Sequence, residues 1–138
     1  MIRILATALL ALCLTASGAF ATSLDDLVVN DGLIYEKFTD VPFTGKVDQG
    51  LSRGEIKNGI KEGPWVAYWS SGSIMFKGAY KNGLHEGPWL WYYDNGQLQA
   101  KGAMKNGYNE GPWLHYLKDG TKDEDDSGTY RNGEKVSD

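Results

Sequence analysis

The sequence predicts an all-β fold: an elongated, single-layer antiparallel sheet of consecutive β-hairpin repeats with a period of 24 residues. Two observations carry this. A Lys-Asn-Gly block at Lys57-Asn58-Gly59 returns as Lys81-Asn82-Gly83 and Lys105-Asn106-Gly107, then as Arg131-Asn132-Gly133. A second block, Glu62-Gly63-Pro64-Trp65, returns as Glu86-Gly87-Pro88-Trp89 and Glu110-Gly111-Pro112-Trp113. The steps are 24, 24 and, for the last Asn-Gly, 26 residues. Self-similarity at a fixed period of this size marks a repeat architecture.

Each unit reads as a hairpin. Trp65-Val66-Ala67-Tyr68-Trp69 is aromatic and β-branched, which suits a pleated, half-buried strand. Ser70-Ser71-Gly72-Ser73 has turn chemistry. Ile74 to Tyr80 alternates with a period of two, Ile74, Phe76 and Tyr80 on one face and Met75 and Lys77 on the other. Lys-Asn-Gly then turns the chain toward the next unit. A four-residue loop at Ser70–Ser73 sets Trp69 against Ile74, Ala67 against Phe76 and Trp65 against Gly78, and in the next unit Trp89 against Gly102. A large ring covering a cross-strand glycine repairs a weak strand position. The face with Trp65, Ala67, Trp69, Ile74 and Phe76 is therefore expected to be buried. Val66, Tyr68, Lys77, Leu90, Tyr92, Gln99 and Lys101 fall on the wetter face. Gly63, Gly87 and Gly111, with Trp65, Trp89, Trp113, Gly78 and Gly102, are the structural repeat positions.

Upstream, Leu27-Val28-Val29 and Leu33-Ile34-Tyr35 flank Asn30-Asp31-Gly32, a hairpin signal. Val41 to Val47 looks like a shortened, diverged unit leading to Gly54. Residues 22–56 are then an N-terminal cap with a diverged unit, 57–80, 81–104 and 105–130 are repeats, and 131–138 is the closing end. A repeat array needs such caps. The last step is longer by two residues, which a turn in the acidic stretch Asp119–Asp126 can absorb. Three two-stranded units span on the order of 30 Å.

The first 21 residues read as a cleaved export signal. Met1-Ile2-Arg3 is a positive n-region, Ile4 to Thr15 is apolar, and Ala19-Phe20-Ala21 is a cleavage site. The product is expected to be periplasmic or secreted. The single cysteine, Cys13, lies inside the apolar segment, with Leu12 before it where a lipoprotein signal needs a small residue. Removing Cys13 leaves no disulfide or thiolate site, so packing must hold the fold. Losing Arg3 with the signal moves the formal charge from −4 to −5. With no basic cluster in the sequence, nucleic acid and a polybasic membrane contact are disfavoured as partners.

Chemistry-bearing candidates are few. Asp123, Asp125, Ser127, Gly128 and Glu134 fit the spacing of a calcium loop. The repeat already demands Gly128, though, and no helix can precede it. A solvated acidic turn is the favoured reading, and no metal or cofactor is expected. His85 is placed in an inter-unit loop and His115 on a strand; neither has convergent partners for a metal. Glu62, Glu86 and Glu110, being periodic, are expected to play one structural role three times. Catalysis needs different groups at one place, so the chain is read as non-enzymatic. Tyr68, Tyr92 and Tyr116 are the candidate contacts for a partner, because exposed aromatic patches mark interaction sites.

The pattern Tyr-Lys-Asn-Gly-x-x-Glu-Gly-Pro-Trp-x-x-Tyr-x-x-x-Gly, as at Tyr80 to Gly96, resembles the MORN-repeat family, and more closely its bacterial variant, over about residues 42–133. The resemblance implies a twisted sheet of hairpins and a scaffold for protein association, with some eukaryotic members linked to membrane lipid. It carries no catalytic residues. Similar bacterial proteins are often labelled antitoxins. The export signal departs from that label, although an immunity protein against an exported toxin would carry one. The sequence-level reading is a protein-binding module of the bacterial envelope. The alternatives are an antitoxin- or immunity-type inhibitor, or a binder of envelope glycan. Exposed sheet edges leave a homodimer open.

Overall fold

The computed structural model describes residues 23–138; the expected signal segment and Cys13 lie outside them. A 3-10 turn at Leu24–Asp26 leads into a two-stranded hairpin, β1 (Leu27–Asn30) and β2 (Leu33–Glu36). Nine further strands follow: β3 (Gly45–Val47), β4 (Ser52–Lys57), β5 (Ile60–Tyr68), β6 (Ile74–Lys81), β7 (Leu84–Tyr92), β8 (Leu98–Lys105), β9 (Tyr108–Tyr116), β10 (Lys122–Arg131) and β11 (Glu134–Ser137). They form one antiparallel sheet in strict chain order. Every contact in the ladder is therefore between sequence neighbours, as a linear array requires. With strands ~4.8 Å apart, the sheet measures on the order of 40 Å across, longer than the three-unit expectation because the diverged unit and the closing strands join it.

The Asn-Gly blocks are themselves two-residue hairpin turns. Asn58, Asn82, Asn106 and Asn132 have φ near +50°, and the glycines after them lie at +78° to +85°. Two successive left-handed residues make the turn whose twist matches the strands it joins. The connection between units, expected to be a loop, is thus as tight as a hairpin can be. Glu62-Gly63-Pro64 belongs to a nine-residue strand, not to a linker.

The Gly-Pro-Trp block has a different task. Between β4 and β5, Arg53 pairs with Val66 and Glu55 with Glu62, so Gly63, Pro64 and Trp65 together oppose Gly54. The same three-against-one bulge sets Gly87-Pro88-Trp89 against Gly78 and Gly111-Pro112-Trp113 against Gly102. Gly63, Gly87 and Gly111 take positive φ there. A bulge of this kind bends the strand and re-aims the side chain that follows. That side chain is the tryptophan.

The ladder does pair Trp65 with Gly78 and Trp89 with Gly102. The rings, however, lie over the other neighbour: Trp65 over Gly54, Trp89 over Gly78 and Trp113 over Gly102. A Cβ at any of these glycines would collide with the indole. The expected register is corrected at the loop end as well. Tyr68, not Trp69, pairs with Ile74, while Ala67 pairs with Phe76. Met75 is then a one-residue bulge, and such a bulge reverses the alternation beyond it. Ile74 accordingly sits opposite Tyr68 and leaves the buried set. Leu98 does the same opposite Tyr92, with Gln99 as the bulge.

The two extra residues of the last period are not in a turn. Leu117–Thr121 closes with the same pair of bonds as Trp69–Ser73 and Tyr93–Gln97. The surplus lies within β10, where the register shifts between Asp123 and Gly128.

The buried face carries Trp65, Trp89 and Trp113, 3%, 1% and 2% exposed, with Ile56, Ala67, Ala100 and Met104 beside them. They form a row. Tyr80 bridges Trp65 and Trp89 with centroid distances of 5.9 and 5.4 Å, and Trp91 bridges Trp89 and Trp113 at 5.0 and 5.5 Å. Large rings supply most of the apolar area that such a thin fold can bury.

Each Asn-Gly turn is tied to the hairpin before it. Asn82 N–H donates to Glu62 Oε2 at 2.8 Å, Asn106 N–H to Glu86 at 3.0 Å and Asn132 N–H to Glu110 at 2.9 Å. Gly83, Gly107 and Gly133 donate their N–H to the carbonyls of Lys61, His85 and Asn109. In the diverged unit Thr44 Oγ1 and the Phe43 carbonyl take the same two roles for Asn58 and Gly59. The periodic glutamates thus play one structural part three times. Glu86→Ala should lower stability by about 1 kcal/mol, the usual net worth of a hydrogen bond, in urea denaturation, with the strand content unchanged.

Candidate binding face

Tyr68, Tyr92 and Tyr116 end β5, β7 and β9, on the face the tryptophans do not use. All three are half-buried, paired across the ladder with Ile74, Leu98 and Lys122. The Arg53 guanidinium lies 5.7 Å from the Tyr68 ring centroid. The structure thus sets the three tyrosines in one row, two strands apart, with Ile74 and Leu98 on the strands between them.

Next to it runs a second row that is hidden in the sequence. Arg53 pairs with Val66, Val66 with Lys77, Lys77 with Leu90, Leu90 with Lys101, and Lys101 with Leu114. Cations and aliphatic side chains therefore alternate straight across the strands. Lys77 and Lys101 are exposed and Val66, Leu90 and Leu114 half-buried. Neither lysine has a carboxylate partner among the described residues. The sequence shows no basic cluster because these cations stand 24 residues apart. Their common phase, once combined with the register, is the signal that finds them. Pro64, Pro88 and Pro112 are exposed alongside.

The other candidates resolve differently. His85 is on β7, not in a loop, and its ring packs on Trp89 at a centroid distance of 4.1 Å. Its Nε2 is 3.1 Å from the Tyr80 hydroxyl, and the Lys61 ammonium lies 5.1 Å from the Tyr80 ring centroid and 4.6 Å from that of Trp65. Burial holds the His85 pKa below the ordinary 6.5, and the Lys61 charge adds to this. Burial also lowers Lys61 and raises Tyr80. A histidine with a depressed folded pKa takes up its proton more readily when unfolded. Stability should therefore be full above about pH 6.5 and fall as pH drops toward the depressed value. His85→Gln should flatten that slope in melts taken across the acid range.

His115 is on β9, 5.8 Å from Trp113 in ring-centroid distance, and its backbone N–H donates to the Ser127 hydroxyl. That hydroxyl in turn donates to the His115 carbonyl, which pins the bulge of β10 to β9. Asp123 Oδ1 accepts from the N–H groups of Asp125 and Asp126. The backbone thus claims Asp123 and Ser127, and Glu134 stands on β11. Among the described residues no three His, Cys, Asp or Glu side chains are grouped so that they could hold a metal ion, and no helix is long and apolar enough to cross a membrane.

Two adjacent stretches, residues 61–82 and 86–106, match the MORN repeat variant. Each begins within a strand, just ahead of its Gly-Pro-Trp bulge, and together they cover two consecutive units of the sheet. MORN repeats commonly mediate interactions with proteins or membrane phospholipid. No curated protein matches the chain.

Proposed function

We propose that this chain, built on repeats of the MORN variant, is an exported, non-enzymatic module that binds a protein partner through the face bearing Tyr68, Tyr92 and Tyr116. The observation that carries this is the division of labour between the two faces. One face buries its aromatics in a continuous row, while the other presents Tyr68, Tyr92 and Tyr116, aliphatic residues, and the cations Arg53, Lys77 and Lys101 at the same phase. Aromatic residues at the surface contribute a large share of binding energy in protein interfaces. Nothing in the core needs the tyrosine row.

Export is supported by Arg3, the apolar run Ile4 to Thr15 and Ala19-Phe20-Ala21. The mature mass should correspond to a chain starting at Thr22. A photo-crosslinker in place of Tyr92, introduced in the native cells, should capture a partner of discrete mass. The same group at Ser71, on the loop edge, should not. Adducts at Ser71 but not at Tyr92 would overturn the assignment of the face. Ring stacking on envelope glycan is the second reading that a periodic tyrosine row suits. Retention on peptidoglycan, lost in Tyr92→Ala, would replace the protein reading with that one.

A further inference from the structure

The two rows of the open face have a common repeat. Arg53, Lys77 and Lys101 recur on alternate strands, as do Tyr68, Tyr92 and Tyr116. At ~4.8 Å between strands, successive members of either row are on the order of 10 Å apart. This is not the repeat of an extended strand, whose same-face residues recur at about 7 Å. It is close to that of a polyproline II helix, with three residues per turn and about 9 Å per turn. A segment in that conformation, laid across the strands, presents every third residue to the same row.

The chemistry of the rows selects which residue that is. The protein is acidic overall, yet between β4 and β9 neither row contains a carboxylate; the exposed Glu124, Asp125 and Asp126 lie beyond Leu114, in the β10 bulge. Glu62, Glu86 and Glu110, on the flank toward the Asn-Gly edge, are engaged by the turn N–H groups. Lys77 and Lys101 are left without ion-pair partners among the described residues. Cations at the helix repeat, beside tyrosines at the same repeat, fit an anionic residue at every third position with prolines packing between the rings. Docking of the polyproline helix on aromatic-lined grooves is a known mode of recognition, favoured because the ligand is already ordered.

We propose that the partner segment is a polyproline II stretch with an acidic residue at every third position, its carboxylates on Arg53, Lys77 and Lys101 and its prolines on the tyrosine row. This deepens, and rests on, the assignment of the open face as the protein-binding face.

The test uses a labelled peptide of five Pro-Pro-Glu triplets and the purified protein, read by fluorescence anisotropy. Saturable binding is expected. An isomer of the same composition with its five glutamates consecutive should bind roughly ten-fold more weakly, since most of its charges then miss the row. The double variant K77E/K101E should lose roughly ten-fold or more in affinity for the triplet peptide. K57E/K81E, which makes the same charge change at the Asn-Gly edge, should stay within about two-fold. Circular dichroism and melting check that each variant is folded; should K77E/K101E not fold, K77Q/K101Q takes its place with the same expected direction. Equal binding of the two isomers would overturn the proposal, because charge alone would then explain the affinity. So would retained affinity in the lysine variants, or no binding by the unaltered protein. If Tyr92 crosslinks to a protein while the triplet peptide fails, only the identity of the segment falls. If Tyr92 also captures nothing, the face itself was misassigned.

Discussion

Trp89→Ala should cost about 3–5 kcal/mol, the range for deleting a large buried ring, and Tyr92→Ala should cost clearly less. Trp89 is 1% exposed and meets Phe76, Tyr80, His85 and Trp91 within 5.4 Å between ring centroids. Its removal opens the middle of the row, and in a one-layer sheet no second layer can settle into the gap. Set against a total stability of ~5–15 kcal/mol for a domain, the variant would sit near the edge of folding. Tyr92 is half-buried on the opposite face, where water can replace much of what is lost. Urea denaturation of both variants decides the point. A larger loss for Tyr92→Ala would mean that the core face has been chosen wrongly.

Gly78→Ala should be the most damaging small substitution in the repeat, at roughly 1–3 kcal/mol, as for overpacking in a tight core. The backbone at Gly78 is ordinary, so the cost arises only from the indole of Trp89 lying where a Cβ would go. This gives a sharper test than the single variant. In a double-mutant cycle, Trp89→Ala should couple to Gly78→Ala by about 0.5–3 kcal/mol. Its coupling to Gly102→Ala should be smaller, although Gly102 is its ladder partner. Gly102 is covered by Trp113 instead, and should couple to that residue. The reverse ranking would show that the rings lean the other way.

This contrast also marks how far the sequence could be read. Repetition revealed the hairpins, and period-two alternation placed Trp65, Trp89 and Trp113 on the buried face. The Trp-to-Gly pairs of the ladder followed from counting back across a four-residue loop. What counting cannot supply is the direction a side chain leans, and the Gly-Pro-Trp bulge sets that. The same arithmetic failed at Ile74, because a single bulged residue at Met75 exchanges the faces. His85 falls on a strand, not in a loop, for a related reason: two left-handed residues, Asn82 and Gly83, already complete the turn, so β7 begins at Leu84, ahead of the aromatic run from Trp89 that marks it in the sequence. On the binding face, the tyrosines were legible as a periodic set. The cation row was not, since Arg53, Lys77 and Lys101 become neighbours only when the register is known.

The lean of the rings gives the array a polarity. Each tryptophan seals the unit that precedes it, like a roof tile overlapping the one below, so a new tile can be laid only beyond the last. The final course has no tile of its own kind. Above Gly128 lie the aliphatic stem of Lys135 and the backbone carbonyl of Ser137. The C-terminal strand is in that sense a ridge piece: its Lys135 and Ser137 lie over Gly128 where the units before it lay an indole.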